Sequence, residues 1–441
     1  QVISIDNFSI HNDNGDQEIK INGKYSKNDP KKILKTELKN INLEYIFQTL
    51  SIDVLKFGGD ATGSLFLSSI EGKPYANTRL DVHEFKFNGT NLGNLNLFSE
   101  LDEETNKVVL DGKITSDENK LTTVNGFIDP IEQELSLNFD ADSINIGFLA
   151  NYASSIFNKV EGRGSGNVHL FGNFSDVTVE GKAFINNGKV GISFLNTDYS
   201  FTDTIYMKSN LIYFNDVEFT DEFHNKAIGN GKVAHDYFHD FMYYVDLSAD
   251  NFLLYNITEK QNPLFSGKVF ASGKGSIGGD EKGVNIDISM RTEEKTAVRL
   301  NFMEDVINEY TFITYKDPQY KTDTLSSTDK PPGSNVIKTD SGMDINMNFY
   351  IDATPDAVVE LVMDPVGGDV IRGSGSGALQ FTWSTKSAPR LYGTYLINRG
   401  SYNFTFQRLV ERKFAIQDGS NVQFKGDPFD ATLDVNAVYK V

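Results

Sequence analysis

The feature that most constrains this fold is a strict alternation of apolar and polar residues. In residues 431–439, Leu433 and Val435 are separated and flanked by Thr, Asp and Asn, and the same pattern recurs many times upstream. Successive side chains of a β-strand point to opposite faces, so the pattern predicts strands with one apolar face and one polar face. The apolar faces of consecutive strands must then be covered.

The predicted apolar face includes most of the large side chains of the alternating stretches. We assign to it Leu135, Leu137, Phe139, Ile345, Met347, Phe349, Leu379, Phe381, Trp383, Tyr402, Phe404, Phe406, Leu433, Val435, Ala437 and Tyr439.

Turn chemistry predicts that these strands pair antiparallel. The chain has 37 Gly against 11 Pro, and pairs of Asn-Gly or Asp-Gly recur between alternating stretches. Such pairs accept the positive φ angles of tight hairpin turns. We therefore predict an almost entirely antiparallel all-β protein with turns at 14–15, 22–23, 88–89, 111–112, 125–126, 187–188, 230–231 and 418–419.

Charge and composition exclude several classes of function. The 61 acidic and 41 basic residues leave a formal charge of −20, which repels a nucleic-acid backbone. The absence of cysteine excludes disulfides, thiolate catalysis and thiolate metal sites. No run approaches the roughly 18 apolar residues of a membrane-spanning helix. Because the chain begins at Gln1, we expect it to be part of a longer protein whose anchoring segment lies elsewhere.

Glycine-rich segments repeat along the chain. The stretches 42–67 and 145–170 align without a gap at an offset of 103 residues, and each begins with a helix-like pattern. Gly63, Gly166, Gly275 and Gly377 follow one another at intervals of 103, 109 and 102 residues. This regularity predicts a stacked array of similar units.

Three regions are predicted from this repeat. Residues 1–315 form repeated β units with short amphipathic helices near 42–55 and 145–159, each laid on a sheet. Residues 316–342 are polar and rich in Pro, Ser and Thr, which predicts a mobile insertion. Residues 343–441 form a C-terminal β domain.

Three arrangements could cover the apolar faces: a sandwich, a closed barrel, or a sheet that curls so that the apolar face lines a groove. About 30 strands side by side at about 4.8 Å would extend about 140 Å, which favours the elongated groove. An open groove would suit an acyl chain. The alternative is a groove filled by its own aromatic side chains, and both interpretations stay open.

Other candidate sites have simpler interpretations. His235 and His239, with the aspartates beside them, have the spacing of a helical metal site, but strand-like sequence on both sides favours a hairpin turn. Residues 12–16 lack an EF-hand loop and also predict a turn. The glycine-rich segments lack the Lys-Ser/Thr and helix of a phosphate loop, and we expect them to start strands where the sheet bends sharply or another backbone comes close. No catalytic residues, metal site or cofactor are predicted, so an enzyme is not expected.

The C-terminal hundred residues resemble the TamB family, within the AsmA-like superfamily. The resemblance rests on a glycine-rich strand, a Gly-x-x-x-Ile-x-x-Gly-x-Tyr stretch, a Phe-x-Ile strand, and a Phe-x-Gly-x-Pro strand that leads to a terminal Leu-x-Val-x-Ala. The matching residues are Gly393, Ile397, Gly400, Tyr402, Phe414, Ile416, Gly419, Phe424, Gly426, Pro428, Leu433, Val435 and Ala437.

This resemblance implies a β-taco, which is an elongated, curled antiparallel sheet with an apolar lumen. It further implies a periplasmic location, an N-terminal anchor in the inner membrane, and a partner at the C-terminus that is an outer-membrane barrel of the TamA or BamA kind. The implied functions are phospholipid transport between the membranes and outer-membrane protein assembly. For the second function, alternation alone suggests an unpaired edge strand that could dock a partner strand; its residues are Ala431, Leu433, Val435, Ala437 and Tyr439.

Overall fold

The structure, a computed structural model, describes residues 2–45, 56–152, 157–193, 195–262, 265–280, 282–301, 344–364, 368–406 and 410–439. Nearly all of these residues are in strands, and almost all strand pairs are antiparallel, so the predicted all-β fold is confirmed. The predicted insertion at 316–342 lies outside the described residues.

The described strands are numbered β1 to β26 in chain order. Their bounds are Val2–His11 (β1), Glu18–Ser26 (β2), Leu34–Asn42 (β3), Phe57–Ile70 (β4), Lys73–Phe87 (β5), Thr90–Asp102 (β6), Lys107–Thr115 (β7), Leu121–Asp129 (β8), Glu134–Asn145 (β9), Phe157–Asn173 (β10), Asp176–Ile192 (β11), Thr197–Lys208 (β12), Leu211–Thr220 (β13), Lys226–Asp236 (β14), His239–Ile257 (β15), Phe265–Gly279 (β16), Gly283–Thr292 (β17), Ala297–Asn301 (β18), Asp344–Ala353 (β19), Val358–Asp364 (β20), Asp369–Ser384 (β21), Ser387–Phe406 (β22), Val410–Ile416 (β23), Ser420–Gly426 (β24), Thr432–Asp434 (β25) and Ala437–Val438 (β26).

The chain divides into two compact units. One comprises residues 1–256 and 269–290, and the other comprises residues 257–268 and 291–441. In the first unit, β1 to β15 pair in chain order, each strand antiparallel to the next. At a spacing of about 4.8 Å, this run of paired strands is about 67 Å wide.

Left-handed residues, most of them at β-bulges, recur on odd-numbered strands of this sheet. On seven strands of the first unit, one non-glycine residue has a left-handed backbone with φ between 49° and 59°. Its N–H donates to a polar side chain on the next strand at 2.9–3.5 Å, as from Ser143 to Ser165 Oγ and from Asp216 to Asn230 Oδ1. A bulge bends its strand, so a series of them bends the whole sheet. This bulge series consists of Asn7, Asn40, Glu84, Ser143, Asn187, Asp216 and Asn251.

The glycines of the predicted repeats lie in the middle of strands. The prediction that they start strands is therefore wrong. The expected close approach of backbones is confirmed: a Cβ on Gly63 would lie 2.0 Å from the carbonyl oxygen of Arg79, and one on Gly166 would lie 2.2 Å from that of Lys182. Long bent strands need such positions where a neighbour comes near.

Only some of the predicted turns are turns. The pairs at 14–15, 88–89 and 418–419 connect strands, whereas those at 22–23, 111–112, 125–126, 187–188 and 230–231 lie inside β2, β7, β8, β11 and β14. Several of the internal pairs lie at or opposite members of the bulge series, such as Asn187 and, through its side chain, Asn230. Asn and Gly accept a left-handed backbone in a bulge as readily as in a turn, so composition alone did not separate the two.

Over the described part of the predicted helix at 145–159, the structure has a short 3₁₀ helix. Strand β9 continues to Asn145, a short 3₁₀ helix covers Gly147–Tyr152, and β10 begins at Phe157. The Asn145 side chain accepts a hydrogen bond from the Gly147 N–H at 2.9 Å, which starts the short helix directly after the strand. Of the predicted helix at 42–55, residues 43–45 are helical and residues 46–55 lie outside the described part.

Two apolar clusters stabilise the first unit. The larger joins β3 to β7, with Ala61, Val82 and Leu95 buried, and Leu43 of the short helical turn packs on it. The smaller joins Tyr199 and Phe252, whose rings stack with centroids 4.8 Å apart. In both clusters, apolar side chains of neighbouring strands therefore cover one another.

The second unit contains a small closed mixed barrel. Strands β18 and β20 pair in parallel, and β21 pairs antiparallel with β19, β20 and β22. The long β22 pairs with β24 through its first half and with β23 through its second half. Its core includes Leu361, Ile397 and Phe424.

The segment 235–239 is a hairpin turn between β14 and β15, as predicted. His235 is 4% exposed, its ring stacks on Phe238 at 4.7 Å, and its Nδ1 accepts the Phe238 N–H at 3.1 Å. Its Nε2 is buried with no hydrogen-bond partner in the described part of the chain. Burial lowers the pKa of His235, although the carboxylate of Asp236 acts in the opposite direction.

Replacing Gly166 by Ala should destabilise the protein by more than about 2 kcal/mol, because the methyl group would overlap the Lys182 carbonyl and the backbone has φ +150°. Gly275→Ala is the matched control from the same predicted repeat. Its Cβ would meet Ile288 at 3.5 Å, an ordinary contact, so a change of about 0.5 kcal/mol is expected. Urea unfolding followed by circular dichroism measures both, and equal losses would contradict the assignment.

Acidification should weaken the first unit through His235. Because the pKa of His235 is lowered in the folded protein, the unfolded chain binds the proton more readily. The stability contributed by neutral His235 is therefore present above pH 6.5, the ordinary pKa of histidine. It is lost as the pH falls through the lower pKa of the folded protein. His235→Leu should flatten this dependence of the free energy of unfolding, whereas His239→Leu, at an exposed position in the same turn, should preserve it. The same slope in both variants would contradict this account.

Candidate functional site

One unbroken line of apolar side chains and glycines crosses the first unit from β1 to β15. Its members face one another pair by pair in the strand register, one residue from each strand, and none is charged. We call it the central row, and the sheet face that carries it the inner face. The central row is Ile10, Ile19, Leu38, Gly63, Leu80, Leu97, Gly112, Val124, Phe139, Val168, Gly181, Met207, Ile212, Val233 and Tyr243.

Three of the residues predicted from sequence lie on this face. Phe139 is in the central row, Leu137 lies in the next row, where it faces Leu170, and Leu135 lies one row further, where it faces Gly172. The structure thus brings Leu135, Leu137 and Phe139 onto one apolar surface. The other members of the central row were missed, because their alternation is short and only the register across the bulges places them in line.

The middle of the inner face is covered less by other side chains than the part over β3 to β7. Leu135, Leu137 and Phe139 on β9, and Val168 and Leu170 on β10, are half-buried, whereas the larger apolar cluster covers the inner face of β3 to β7. Half-buried side chains in a continuous apolar surface leave part of their apolar area in contact with water. A bound ligand can cover that area.

On β5 to β9, the outer face is polar in the row beside the central row. Next to the central row, on the other side of the sheet, Asp81 faces Asn96, Asn96 faces Lys113, and Thr123 faces Asp140. This division of polar and apolar faces fixes the register of the strands, because a slip of one residue would move the polar side chains to the apolar face.

In the second unit the predicted residues also meet across strands. Met347 faces Trp383, Phe349 faces Phe381 with ring centroids 5.8 Å apart, and Ile351 faces Leu379. Ile345, at the start of this alternation, is half-buried.

The barrel core covers much of this face. Leu379, Tyr402 and Val435 pack against the buried side chains of the core. The Tyr402 hydroxyl donates to Asp369 at 3.2 Å, and Phe404 lies 6.2 Å from the Tyr402 ring. The side chain of Phe406 lies outside the described part. Here the apolar face is filled by the protein's own residues, in contrast to the middle of the first unit.

The stretch 431–439 is not one continuous strand. Strand β25 pairs with β24, where Leu433 faces the buried Val422, and strand β26 pairs with β23, where Ala437 faces Ile416. Ala431 packs against the barrel core, and Tyr439 lies 5.6 Å from the ring of Phe414. The strand is interrupted at Asn436. Its carbonyl oxygen accepts the Gln417 N–H, and its own N–H donates to the Ser420 hydroxyl, both near the β23–β24 turn.

Within the described ranges there is no helix long and apolar enough to cross a membrane. The described residues also contain no group of three or more His, Asp or Glu side chains placed to hold a metal ion.

Comparison with known proteins identifies the family. The sequence matches the TamB C-terminal domain over residues 215–441, which is just over half of the 441-residue chain and runs from β13 to the C-terminal end. No curated protein and no solved structure matches the chain. This chain belongs to the TamB family, whose members are non-enzymatic proteins of the cell envelope that act in outer-membrane biogenesis with a TamA-like outer-membrane barrel.

Proposed function

We propose that this protein is a conduit that moves phospholipid along its inner face, across the periplasm between the inner and outer membranes. The observation that supports this most directly is the central row, in which fifteen consecutive strands each place one uncharged apolar side chain or glycine at the same level. A membrane anchor would hold such a conduit at the inner membrane.

The energetics suit an acyl chain. Burial gives about 0.8 kcal/mol per CH₂, so a chain of about 16 carbons recovers about 12 kcal/mol when it leaves water. Because neighbouring positions of the central row have similar chemistry, a chain can move from one to the next with little change in free energy. The width of about 67 Å exceeds the length of one acyl chain several-fold.

The same row disfavours an unfolded polypeptide as cargo. A polypeptide carries an N–H and a C=O at nearly every residue, and these need hydrogen-bond partners when they leave water. The central row offers one side-chain hydroxyl, that of Tyr243, and no amide or charged side chain. The phospholipid headgroup avoids this problem if it stays in water at the mouth of the groove.

Photo-crosslinking distinguishes the two faces of β9. A photoreactive amino acid at Leu137 or Phe139 should label phospholipid in cells, because these side chains lie on the half-buried inner face. Asn138 and Asp140 are matched controls on the same strand, with exposed side chains on the outer face, and should give little label. Mass spectrometry identifies the adduct. Equal labelling at all four positions, or lipid at none, would contradict the proposal.

A second candidate function is a scaffold for outer-membrane protein assembly, in which a strand of the barrel partner pairs with the C-terminal segment. The supporting observation is the weak pairing of that segment: β25 has three residues, all exposed, and β26 has two. Each pairs with one strand only within the described residues. A strand that pairs on one side only leaves the backbone groups of its other edge available for an added strand.

Removal of residues 430–441 tests this second function. If the segment docks the partner, the truncated protein should lose capture of a purified TamA-like barrel at least tenfold, while its circular dichroism keeps the β signal of the full chain. Leu121→Asp, on an exposed side chain of β8 in the first unit, serves as a control and should capture normally. Undiminished capture by the truncated protein would exclude this edge as the docking site.

A further inference from the structure

The inner face of β9 and β10 is closed at one end of these strands. The connection from β9 to β10 turns back to the β5–β6 turn, where the Asn151 side chain donates to the Asn88 carbonyl oxygen at 2.7 Å. In the same connection, the ring of Phe148 lies 5.4 Å from that of Phe87 and packs against the larger apolar cluster. Because β7 and β8 lie between these two connections in the sheet, the 3₁₀ helix crosses this end of the inner face.

Isoleucine side chains fill the sheet beside this helix. Gly164 of β10 faces Ile144 of β9 across the strands. A Cβ on Gly164 would lie 3.1 Å from Ile146 and 3.5 Å from Ile185, which are 7% and 3% exposed. The side chains at this level pack on one another and leave no apolar area for a ligand. We call this level the closed end.

Between the closed end and the opposite turns, facing residues of β9 and β10 form an apolar slot. All of its members are half-buried, and none is polar. The six residue steps from Leu135 to Ala141 span about 20 Å along the strand. From the closed end outwards, the facing pairs of the slot are Ala141 and Gly166, Phe139 and Val168, Leu137 and Leu170, and Leu135 and Gly172.

The other end of the slot opens at two neighbouring turns. The β8–β9 and β10–β11 turns are joined by a hydrogen bond, in which the Phe174 N–H donates to the Gln133 carbonyl oxygen at 2.8 Å. Apart from Phe174, the side chains exposed at these turns are polar or charged, and they are Glu132, Gln133, Glu134, Asn173, Ser175 and Asp176. The slot therefore has a hydrated open end, an apolar length and an apolar closed end.

We propose that an acyl chain lies along this slot, parallel to β9 and β10, with its headgroup at the two turns and its methyl end at the closed end. This inference rests on the proposed lipid transport and gives the lipid an orientation and a length. The hydrocarbon core of a bilayer is about 30 Å thick, so the chains of one leaflet span about 15 Å. A slot of about 20 Å takes one such chain, of about 16 carbons, and stops a longer one.

The closed end distinguishes an acyl chain from a peptide segment. A helix or strand of a partner protein laid in the slot would meet the closed end with backbone N–H or C=O groups, which need hydrogen-bond partners when they are buried. The side chains that fill the closed end, Ile144, Ile146 and Ile185, offer none. The methyl group of an acyl chain needs no partner, so its burial against isoleucine is favourable.

Photolabelling of the purified full chain with two phosphatidylethanolamines tests the orientation. One probe carries a diazirine beside the carboxyl end of an acyl chain, and the other carries it beside the methyl end. Mass spectrometry of the peptides locates each adduct. We expect the first probe to label Leu135 and the residues at the two turns, and the second probe to label Ala141 and Ile144.

The outcomes separate this inference from the proposed function. The reverse distribution, or the same distribution for both probes, would overturn the orientation while leaving lipid on the inner face. Labelling of the inner face by neither probe would overturn both the orientation and the lipid conduit.

A series of lysophosphatidylcholines of increasing chain length tests the length limit, with affinities measured by displacement of a fluorescent fatty acid. Each added CH₂ should raise the affinity about fourfold, up to about 16 carbons, and longer chains should gain little. A steady gain to about 20 carbons would overturn the limit.

Ala141→Leu should shorten the slot, because it places a larger side chain beside the closed end. We expect it to lower the affinity for a chain of about 16 carbons about tenfold and to leave that for about 12 carbons unchanged. Ala378→Leu is the matched control, at an exposed position of β21 in the other unit, and should change neither affinity. Equal losses for both chain lengths in Ala141→Leu would contradict a chain end at this position.

Discussion

The whole first unit depends on one constraint, the register of side chains across fifteen antiparallel strands. Because successive side chains alternate between faces, an offset of a single residue in any pair would carry polar side chains into the central row. Each bulge inserts a residue and changes the phase of its strand. The bulge series is compatible with the central row because no bulge interrupts the pairing at the row itself, and polar side chains of the next strand, such as Ser165 and Asn230, bind the bulged backbone.

The same alternation leads to two different outcomes in this chain. In the second unit the strands close into a barrel, and buried residues such as Ile397 and Phe424 fill its interior. In the first unit the strands follow one another in order without pairing back on themselves, so the inner face of β9 and β10 keeps half-buried leucine and valine side chains. Alternation alone therefore does not decide whether an apolar face becomes a core or a surface.

Much of this architecture could be predicted from the sequence, and the failures have physical causes. Period-two alternation identified the all-β class and placed Leu137 and Phe139 on the correct face, because that signal is local. The helix at 145–159 is shorter than predicted because strand β9 continues to Asn145 and strand β10 begins at Phe157. Barrel closure was not predictable, since it depends on pairing between strands that are not neighbours in the chain, such as β18 and β20. The C-terminal motif identified the family because its glycines and aromatic residues keep a specific spacing.

The most direct test of the central claim uses the natural absence of cysteine. Single cysteines at residues 135 to 140 carry a nitroxide label, and electron paramagnetic resonance measures broadening by a spin-labelled phospholipid added to the purified protein. If the inner face of β9 accommodates lipid, broadening should alternate with a period of two and be greatest at 135, 137 and 139. Weak broadening at all six positions, without alternation, would show that this face is closed to lipid and would contradict the account.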